Sequence, residues 1–343
     1  MTQLQFELTS PLYLHVRGRQ IEGTISDGID LGIWPISATR VARGWGNASL
    51  TEWPYAISPD NWPPKEPKGI DSLAKTRRVN LYQRVRSADE CSRAIHTLMP
   101  VTASFEITNL WFDAPAGAIT VPPATEPIIG GHGVCVAGVE PDKELFHFVN
   151  SWGDKWGDKG FGTISFEYFD RYITEAWAMS GYAEKPPIPK YSPGVQYLNW
   201  GKGTFDGSVF HAMEVYDYSQ DERMGWAFAV ERDGWVDVEE LFVRPAYRRN
   251  GHGRNLMIML GELQDLRKLP VRFWMSHPDC TQSNLLVAER LLARFGFTIQ
   301  PSGVRWASGM AVVRTPTQPN SVAVQPPKTP RIFRPANLNL QAN

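Results

Sequence analysis

Two residues whose side chains suit proton transfer lie eighteen positions apart in the chain, His132 and Asn150. An imidazole can take up and release a proton near neutral pH, and an amide oxygen can accept the ring N–H without adding a full charge. This pair suits thiol chemistry, in which the imidazole takes the proton of a cysteine and a further group orients the ring. We expect Trp152, two residues beyond the asparagine, to cover that hydrogen bond and exclude water.

The elements that must position this pair can be predicted from the surrounding sequence. Residues 133–139 and 145–151 read as two strands joined by a polar turn at 140–144. An antiparallel pairing of these strands would bring His132 and Asn150 face to face. The sequence therefore predicts a hairpin that carries both groups.

Local patterns predict further elements. A helix is expected over residues 11–22, and Ser-Ala-Asp-Glu at 87–90 matches a capping box that begins another. Asp233-Gly234 is a hairpin signal between two predicted strands, 225–231 and 235–243. A helix at about 252–267 carries an apolar stripe of Leu256, Leu260, Leu263 and Leu266.

With these motifs on a hairpin, the first part of the chain resembles the papain-like cysteine peptidases. The resemblance covers about residues 6–180 and implies that His132 is the catalytic base and Asn150 the orienting amide, with Trp152 beside them. The matching segments are Gly-Gly-His-Gly at 130–133, Asn-Ser-Trp-Gly at 150–153, Trp-Gly at 156–157, Gly-Phe-Gly at 160–162, Leu-Thr-Ser-Pro-Leu-Tyr-Leu at 8–14 and Trp-Pro-Tyr at 53–55.

The sequence does not contain the cysteine motif of that family. The family places its nucleophile about 130 residues before the histidine, and the count back from His132 reaches Met1. Cys91 lies on the apolar face of a predicted helix, Cys135 on the strand face opposite His132, and Cys280 in the second region. All three suit buried small hydrophobes. Two explanations stay open: a shortened peptidase whose cysteine is encoded upstream, or a non-catalytic, peptide-binding pseudoenzyme.

A different pattern follows the predicted strand at 235–243. Residues 248–253, Arg-Arg-Asn-Gly-His-Gly, join that strand to a predicted helix. Backbone N–H groups at a helix start favour phosphate, and glycines let the backbone approach a pyrophosphate closely. The segment resembles motif A of the GNAT family of acetyl-CoA-dependent N-acyltransferases, Arg/Gln-x-x-Gly-x-Gly/Ala. Residues 289–297 resemble the helix end of motif B.

The second resemblance implies acetyl-CoA as co-substrate and an amine acceptor on a peptide or protein. Glu239 and Glu240 are the candidates for the general base, with solvated or hairpin-paired acids as the alternative. Leu292 stands where the family often has a tyrosine acid. The implied cofactor-binding residues are Leu241, Phe242 and Val243 for the pantetheine arm, and Arg248, Arg249, Asn250, Gly251, His252 and Gly253 for the pyrophosphate.

Composition limits the classes of function. A net charge of -1 argues against nucleic acid as the main partner, and no run of ~18 apolar residues predicts a membrane span. Three cysteines without a close pair favour a reducing compartment, so we expect a cytoplasmic protein. We expect no metal site, because the motif at 277–280, His-Pro-Asp-Cys, stands alone and reads as a loop.

The sequence therefore predicts an α+β chain. A papain-like domain, mainly its β-rich half plus helices, is followed by a compact GNAT-like domain with a mixed α/β sheet. The leading hypothesis is an acetyl-CoA-dependent N-acyltransferase, with the peptidase and the peptide-binding pseudoenzyme as alternatives. The predicted bounds are 1–182 for the first domain, 183–204 for a Pro-rich linker and domain entry, 205–314 for the second domain and 315–343 for a disordered Pro-rich tail.

Overall fold

The computed structural model describes residues 7–28, 31–97, 99–180, 194–203, 207–280, 282–307 and 310–314. Two units account for the chain. Unit 1 comprises Met1–Pro189 together with Met275–Leu285 and Pro301–Met310. Unit 2 comprises Lys190–Trp274, Leu286–Gln300 and Ala311–Asn343. The prolines of the predicted linker and the predicted disordered tail lie outside the described residues.

Unit 1 begins with helices whose ends follow from local sequence. Ser10 caps the first helix by accepting a hydrogen bond from the N–H of Tyr13, and Pro11 starts it with a φ suited to the first turn. Gly23 ends it in the left-handed conformation, at φ 74°. The predicted helix at 11–22 is confirmed. The helices of unit 1 are α1 (Pro11–Glu22), α2 (Pro35–Gly44), α3 (Ile70–Ala74), α4 (Ala88–His96) and α5 (Phe166–Tyr172).

The predicted capping box at the start of α4 forms only in part. The Ser87 hydroxyl accepts the N–H of Glu90, as expected. The Glu90 carboxylate does not return to Ser87 but accepts the N–H of Arg86, at 2.8 Å. The carboxylate still satisfies a backbone donor just before the helix, so the helix begins where the sequence predicts.

The sheet of unit 1 has the strand order β1-β7-β2-β4-β5-β6-β3. One face carries an aromatic core that includes the fully buried Phe105, Phe148 and Phe169. The hairpin β4–β5 lies inside this sheet, so both of its strands have partners on either side. The strands are β1 (Tyr82–Arg84), β2 (Val101–Ile107), β3 (Ala118–Ile119), β4 (Gly130–Glu140), β5 (Leu145–Val149), β6 (Phe161–Ser165) and β7 (Ile173–Met179).

Unit 1 includes two C-terminal segments, Met275–Leu285 and Pro301–Met310, which the sequence prediction had assigned to the second domain. Arg84 of β1, which is fully buried, ties them to the sheet. Its guanidinium donates to the Ser276 hydroxyl and to the Trp306 carbonyl, each at 2.8 Å. Pattern and composition could not reveal these contacts, because they join residues about 200 positions apart.

Further contacts bind the first of these segments to the start of unit 1. Arg40 of α2 forms an ion pair with Asp279 at 2.8 Å. Trp34 and His277 stack with their ring centroids 4.0 Å apart. In the His-Pro-Asp-Cys motif, Asp279 is thus engaged in an ion pair and the ring of His277 in a stack. No group of three or more candidate metal ligands occurs in the described part of the chain.

Unit 2 contains a sheet of order β13-β14-β12-β11-β10-β9-β8. Strands β8 to β11 pair antiparallel, whereas β11 and β12 run parallel. Asp233 and Gly234 form the predicted hairpin turn with positive φ angles of 50° and 78°. The elements are β8 (Val195–Gly203), β9 (Val209–Asp217), β10 (Glu222–Arg232), β11 (Trp235–Val243), α6 (His252–Arg267), β12 (Val271–Trp274), α7 (Gln282–Ala293), β13 (Thr298–Pro301) and β14 (Met310–Arg314).

Two predictions for unit 2 need correction. Strand β8 occupies residues that the sequence assigned to the linker and domain entry, and it pairs along its whole length with β9. Leu266, predicted to continue the apolar stripe of α6, is 75% exposed, because the buried part of the helix ends at Gln264. No helix among the described residues combines the length and the apolar character needed to cross a membrane.

Candidate active site

The hairpin of unit 1 brings His132 and Asn150 together. His132 lies on β4, and Asn150 directly follows β5. The imidazole Nε2 and the amide Oδ1 are 2.8 Å apart. The backbone N–H of Asn150 donates to the carbonyl of Gly160 at 2.9 Å, which fixes the asparagine beyond the end of its strand. The sequence predicted this proximity, because antiparallel pairing determines which residues face each other.

The hydrogen bonds of this pair determine where the imidazole proton lies. The Asn150 oxygen can only accept, and it also receives the N–H of Ser151 at 2.8 Å. The neutral ring of His132 must therefore carry its proton on Nε2. Its Nδ1 has no hydrogen-bond partner among the described residues, so its lone pair is available to accept a proton. This is the arrangement that a general base requires.

Aromatic rings surround the hydrogen bond. The ring of Trp152 lies 4.5 Å from that of His132, centroid to centroid. Phe112 stacks on Trp152 at 4.9 Å, and Trp111 meets the imidazole edge-on at 5.8 Å. The predicted cover by Trp152 is therefore present, while Trp111 and Phe112 were not identified from the sequence. Their only sequence signal is the adjacency of two aromatic residues.

Gly162 permits the close packing behind this cluster. A Cβ at this position would lie 2.5 Å from Cζ of Phe148 and 2.8 Å from Cη2 of Trp156. Such distances are far below van der Waals contact, so a larger residue would displace both rings. The Trp156 indole N–H donates to the Trp111 carbonyl at 2.8 Å, which holds the layer together.

Burial lowers the pKa of His132 below its ordinary value, and the hydrogen bond that the ring donates to Asn150 partly opposes this shift. The ring is therefore neutral at neutral pH, as a base must be. Replacing Asn150 by alanine should lower the pKa of His132 further, because the bond that favours the charged ring is lost. NMR titration of the His132 imidazole measures this shift. The exposed Asn109→Ala is the control, and an unchanged pKa in Asn150→Ala would contradict the expectation.

None of the cysteines that the structure describes has the environment of a nucleophile. Burial raises the pKa of the Cys91 thiol well above its usual value, with a smaller contribution from Asp170. Burial likewise raises the pKa of Cys135, which lies on the face of β4 opposite His132. The side chain of Cys280 lies outside the described residues. Neither described thiol can therefore serve the imidazole.

In unit 2, β11 extends beyond its parallel neighbour. Its pairing with β12 covers only Val236–Val238, although the strand continues to Val243. On the other side, Leu241, Phe242 and Val243 pair with β10. The ladder between β11 and β12 thus ends before the three residues expected to hold a pantetheine arm.

The turn after β11 reaches α6 through two residues with positive φ, Arg249 at 67° and Gly251 at 83°. Gly251 is the N-cap, and no side chain accepts a hydrogen bond from the first turn. The backbone N–H groups of residues 252–254 have no acceptor within the described chain. Arg249 and Asn250 are exposed beside them. The donors expected to meet a pyrophosphate are therefore available.

Two side chains of the predicted cofactor set point elsewhere. Arg248 donates to the carbonyl of Val243 at 3.0 Å and lies over the ring of Phe242. His252 is 8% exposed and its Nδ1 contacts the hydroxyl of Tyr197, at 2.8 Å. Both side chains therefore shape the turn rather than extend from it. The sequence did not predict a role for Tyr197, because this residue lies on β8, in the segment assigned to the linker.

The two predicted acids differ in their surroundings. Glu239 is the extra residue of a bulge in β11. Phe228 of β10 pairs with Glu240 and the next residue, Ala229, pairs with Val238, so Glu239 has no opposite residue on β10. Its carboxylate forms a buried ion pair with Arg232 at 2.8 Å, which indicates a structural role. Glu240 is also buried, 4% exposed. Both predicted acids are therefore buried within the sheet.

Comparisons with known proteins bear mainly on unit 1. The sequence model of the papain family cysteine proteases matches residues 32–179. An uncharacterized peptidase C1-like protein of Acanthamoeba polyphaga mimivirus is 22% identical over 200 residues, which are 54% of this chain and 63% of the viral protein. The chain thus spans less than two thirds of that relative.

Solved structures similar to the chain fall into two groups. Xylellain, a cysteine protease of Xylella fastidiosa, is 23% identical with a TM-score of 0.47, covering 51% of this chain and 70% of that protein. The PaiA N-acetyltransferase of Thermoplasma acidophilum, in complex with coenzyme A, is 11% identical with a TM-score of 0.26, covering 31% and 60%. The stretch 32–179, which includes the hairpin with His132 and Asn150, is thus similar in sequence to the papain family cysteine proteases.

Proposed function

We propose that unit 1 acts on peptide carbonyl groups by thiol chemistry, with His132 as the base. The observation that carries the proposal is the 2.8 Å bond between His132 Nε2 and Asn150 Oδ1, which leaves Nδ1 free to accept a proton. The thiol itself would come from a polypeptide segment other than the described residues.

The proposed reaction follows from the position of the imidazole proton. Nδ1 takes the S–H proton as sulfur adds to the peptide carbonyl, and the imidazolium returns that proton to the departing amine. Neutral His132 then takes a proton from water as the water oxygen adds to the thioester carbonyl, and the imidazolium returns a proton to the departing sulfur, which frees the carboxylic acid. Asn150 keeps the Nε2–H bond through both steps, and Trp152 limits the access of water to it.

The chain as it stands can be tested with an external thiol. Thiolysis of a peptidyl p-nitrophenyl ester by 2-mercaptoethanol gives a thioester and p-nitrophenol, and His132 would take the thiol proton. A positioned general base contributes about 10²–10⁴-fold, and a freely diffusing thiol loses much of this advantage. We expect His132→Ala to reduce the protein-dependent rate by at least about tenfold.

The exposed His96→Gln is the control for this experiment and should leave the rate unchanged. Equal rates for wild type and His132→Ala would overturn the proposed base. If peptides nevertheless bind tightly, that result would favour a peptide-binding domain without catalysis, which was the alternative raised by the sequence.

We further propose that unit 2 binds acetyl-CoA and transfers its acyl group to an amine. The GNAT-like motif at 248–253 and the uncapped start of α6 support this second candidate, together with the end of the β11–β12 ladder before Leu241. The backbone of Leu241–Val243 would hold the pantetheine arm, and the N–H groups of residues 252–254 the pyrophosphate. The cofactor would supply an activated acyl thioester, and Glu239 and Glu240 are the candidate bases for the amine.

Titration calorimetry with acetyl-CoA tests this second candidate directly. Measurable heat from a one-to-one complex would support the cofactor site, and the absence of binding would reject it. The acceptor is proposed as a peptide or protein amine, because the same chain carries a peptidase-like domain. Acetylation of a peptide mixture, read by mass spectrometry, tests the acceptor separately.

A further inference from the structure

The first turn of α6 is held by a chain of hydrogen bonds from β8. The Tyr197 hydroxyl lies between two side chains of that turn, 2.7 Å from Nδ2 of Asn255 and 2.8 Å from Nδ1 of His252. His252 and Asn255 are three residues apart, so they share one face of the helix. A single hydroxyl therefore bridges the first and fourth residues of α6.

The direction of these bonds follows from their chemistry. The Asn255 amide nitrogen can only donate, so the tyrosine oxygen accepts from it. The Tyr197 O–H has no other acceptor among the described residues, so it donates to Nδ1 of His252, which places the imidazole proton on Nε2. A charged imidazole would leave the tyrosine O–H without this acceptor. Burial, which lowers the pKa of His252, favours the same neutral state.

This arrangement replaces an ordinary helix cap. In most helices a serine, threonine or aspartate at the N-cap accepts one of the first N–H groups and thereby steadies the turn. Here the N-cap is Gly251, which has no side chain to do so. The Tyr197 bridge steadies the turn from its side chains instead, and it leaves the N–H groups of residues 252–254 unused.

We propose that Tyr197 is a positioning residue for phosphate binding, which presets the first turn of α6 while leaving its backbone donors available to the pyrophosphate of CoA. The inference rests on the proposed binding of acetyl-CoA. The His252 side chain is then a support and not a phosphate ligand. An anion at this site is bound by main-chain N–H groups, with the exposed Arg249 as a cation of the turn.

Tyr197→Phe removes the hydroxyl and keeps the ring, so it isolates the bridge. We expect its affinity for CoA to fall about tenfold, the effect of losing one well-placed hydrogen-bonding group. Affinity for pantetheine, which lacks the pyrophosphate, should not change. Asn199→Ala, an exposed residue on the same strand, is the matched control. Calorimetry with each probe gives both affinities.

A second measurement separates this inference from the proposed function. In ¹⁵N NMR spectra of the full chain, Nδ1 of His252 should resonate as an unprotonated acceptor, and Tyr197→Phe should give a mixture of tautomers. If wild type binds no CoA, the proposed cofactor site and the role of Tyr197 in phosphate binding both fail. The positioning role is overturned if Tyr197→Phe binds CoA as tightly as wild type does, or if its affinities for CoA and for pantetheine fall by the same factor. In either case the cofactor site remains.

Discussion

Replacing Gly253 by tryptophan is expected to abolish measurable binding of acetyl-CoA, a loss of more than about 100-fold in affinity. Gly253 is the second residue of α6, next to the uncapped N–H groups. A Cβ there would lie 3.8 Å from both Leu291 Cδ2 and Val243 Cγ2, which is ordinary contact. Alanine therefore fits, whereas an indole would cover the site proposed for the pyrophosphate. Titration calorimetry measures the difference.

Two variants control this experiment. Gly253→Ala should retain most of the affinity, since its methyl group meets no close atom. Gly261→Trp adds the same indole further along α6, where no atom lies within 4 Å of an added Cβ. It should bind as wild type does. Unchanged binding by Gly253→Trp would exclude the turn at 248–253 as the cofactor site.

Replacing Arg84 by alanine is expected to lower the free energy of unfolding by about 3–5 kcal/mol, as for other buried charged groups with several partners. The guanidinium is fully buried, lies 4.3 Å from the centre of the Trp177 ring, and bonds to both C-terminal segments of unit 1. Its loss leaves the Ser276 hydroxyl and the Trp306 carbonyl without these bonds. Urea unfolding of the full chain measures the change.

Arg305→Ala provides the comparison. Arg305 belongs to the second C-terminal segment and pairs with Glu106, but its side chain is 58% exposed. Exposed ion pairs contribute about 0–1 kcal/mol, so this variant should be nearly as stable as wild type. A similar small loss in Arg84→Ala would show that the two segments are not integral to unit 1.

The parts of the fold that the sequence predicted are those determined by local residues. The ends of α1 follow from Ser10, Pro11 and Gly23, and the turn between β10 and β11 follows from Asp233-Gly234. The meeting of His132 and Asn150 was predictable as well, because one short hairpin connects them. Each of these depends on a few neighbouring positions.

The parts that the sequence did not predict depend on distant partners. Strand β8 is defined by its pairing with β9, and its glycines and polar residues read locally as a linker. The bulge at Glu239, whose carboxylate pairs with the buried Arg232, results from a register shift between β10 and β11, which are paired only in the folded sheet. Tyr197 and the two C-terminal segments contribute through contacts that no local pattern encodes.

The two C-terminal segments of unit 1 have a consequence for synthesis on the ribosome. Unit 1 draws on residues up to Met310, although its last helix and strand are complete by Met179. Translation proceeds at about 5–20 residues per second, so the interval between these points is on the order of 10 s. During that time Arg84 lacks Ser276 and Trp306, and the emerging chain must tolerate an unfinished surface before its final contacts form.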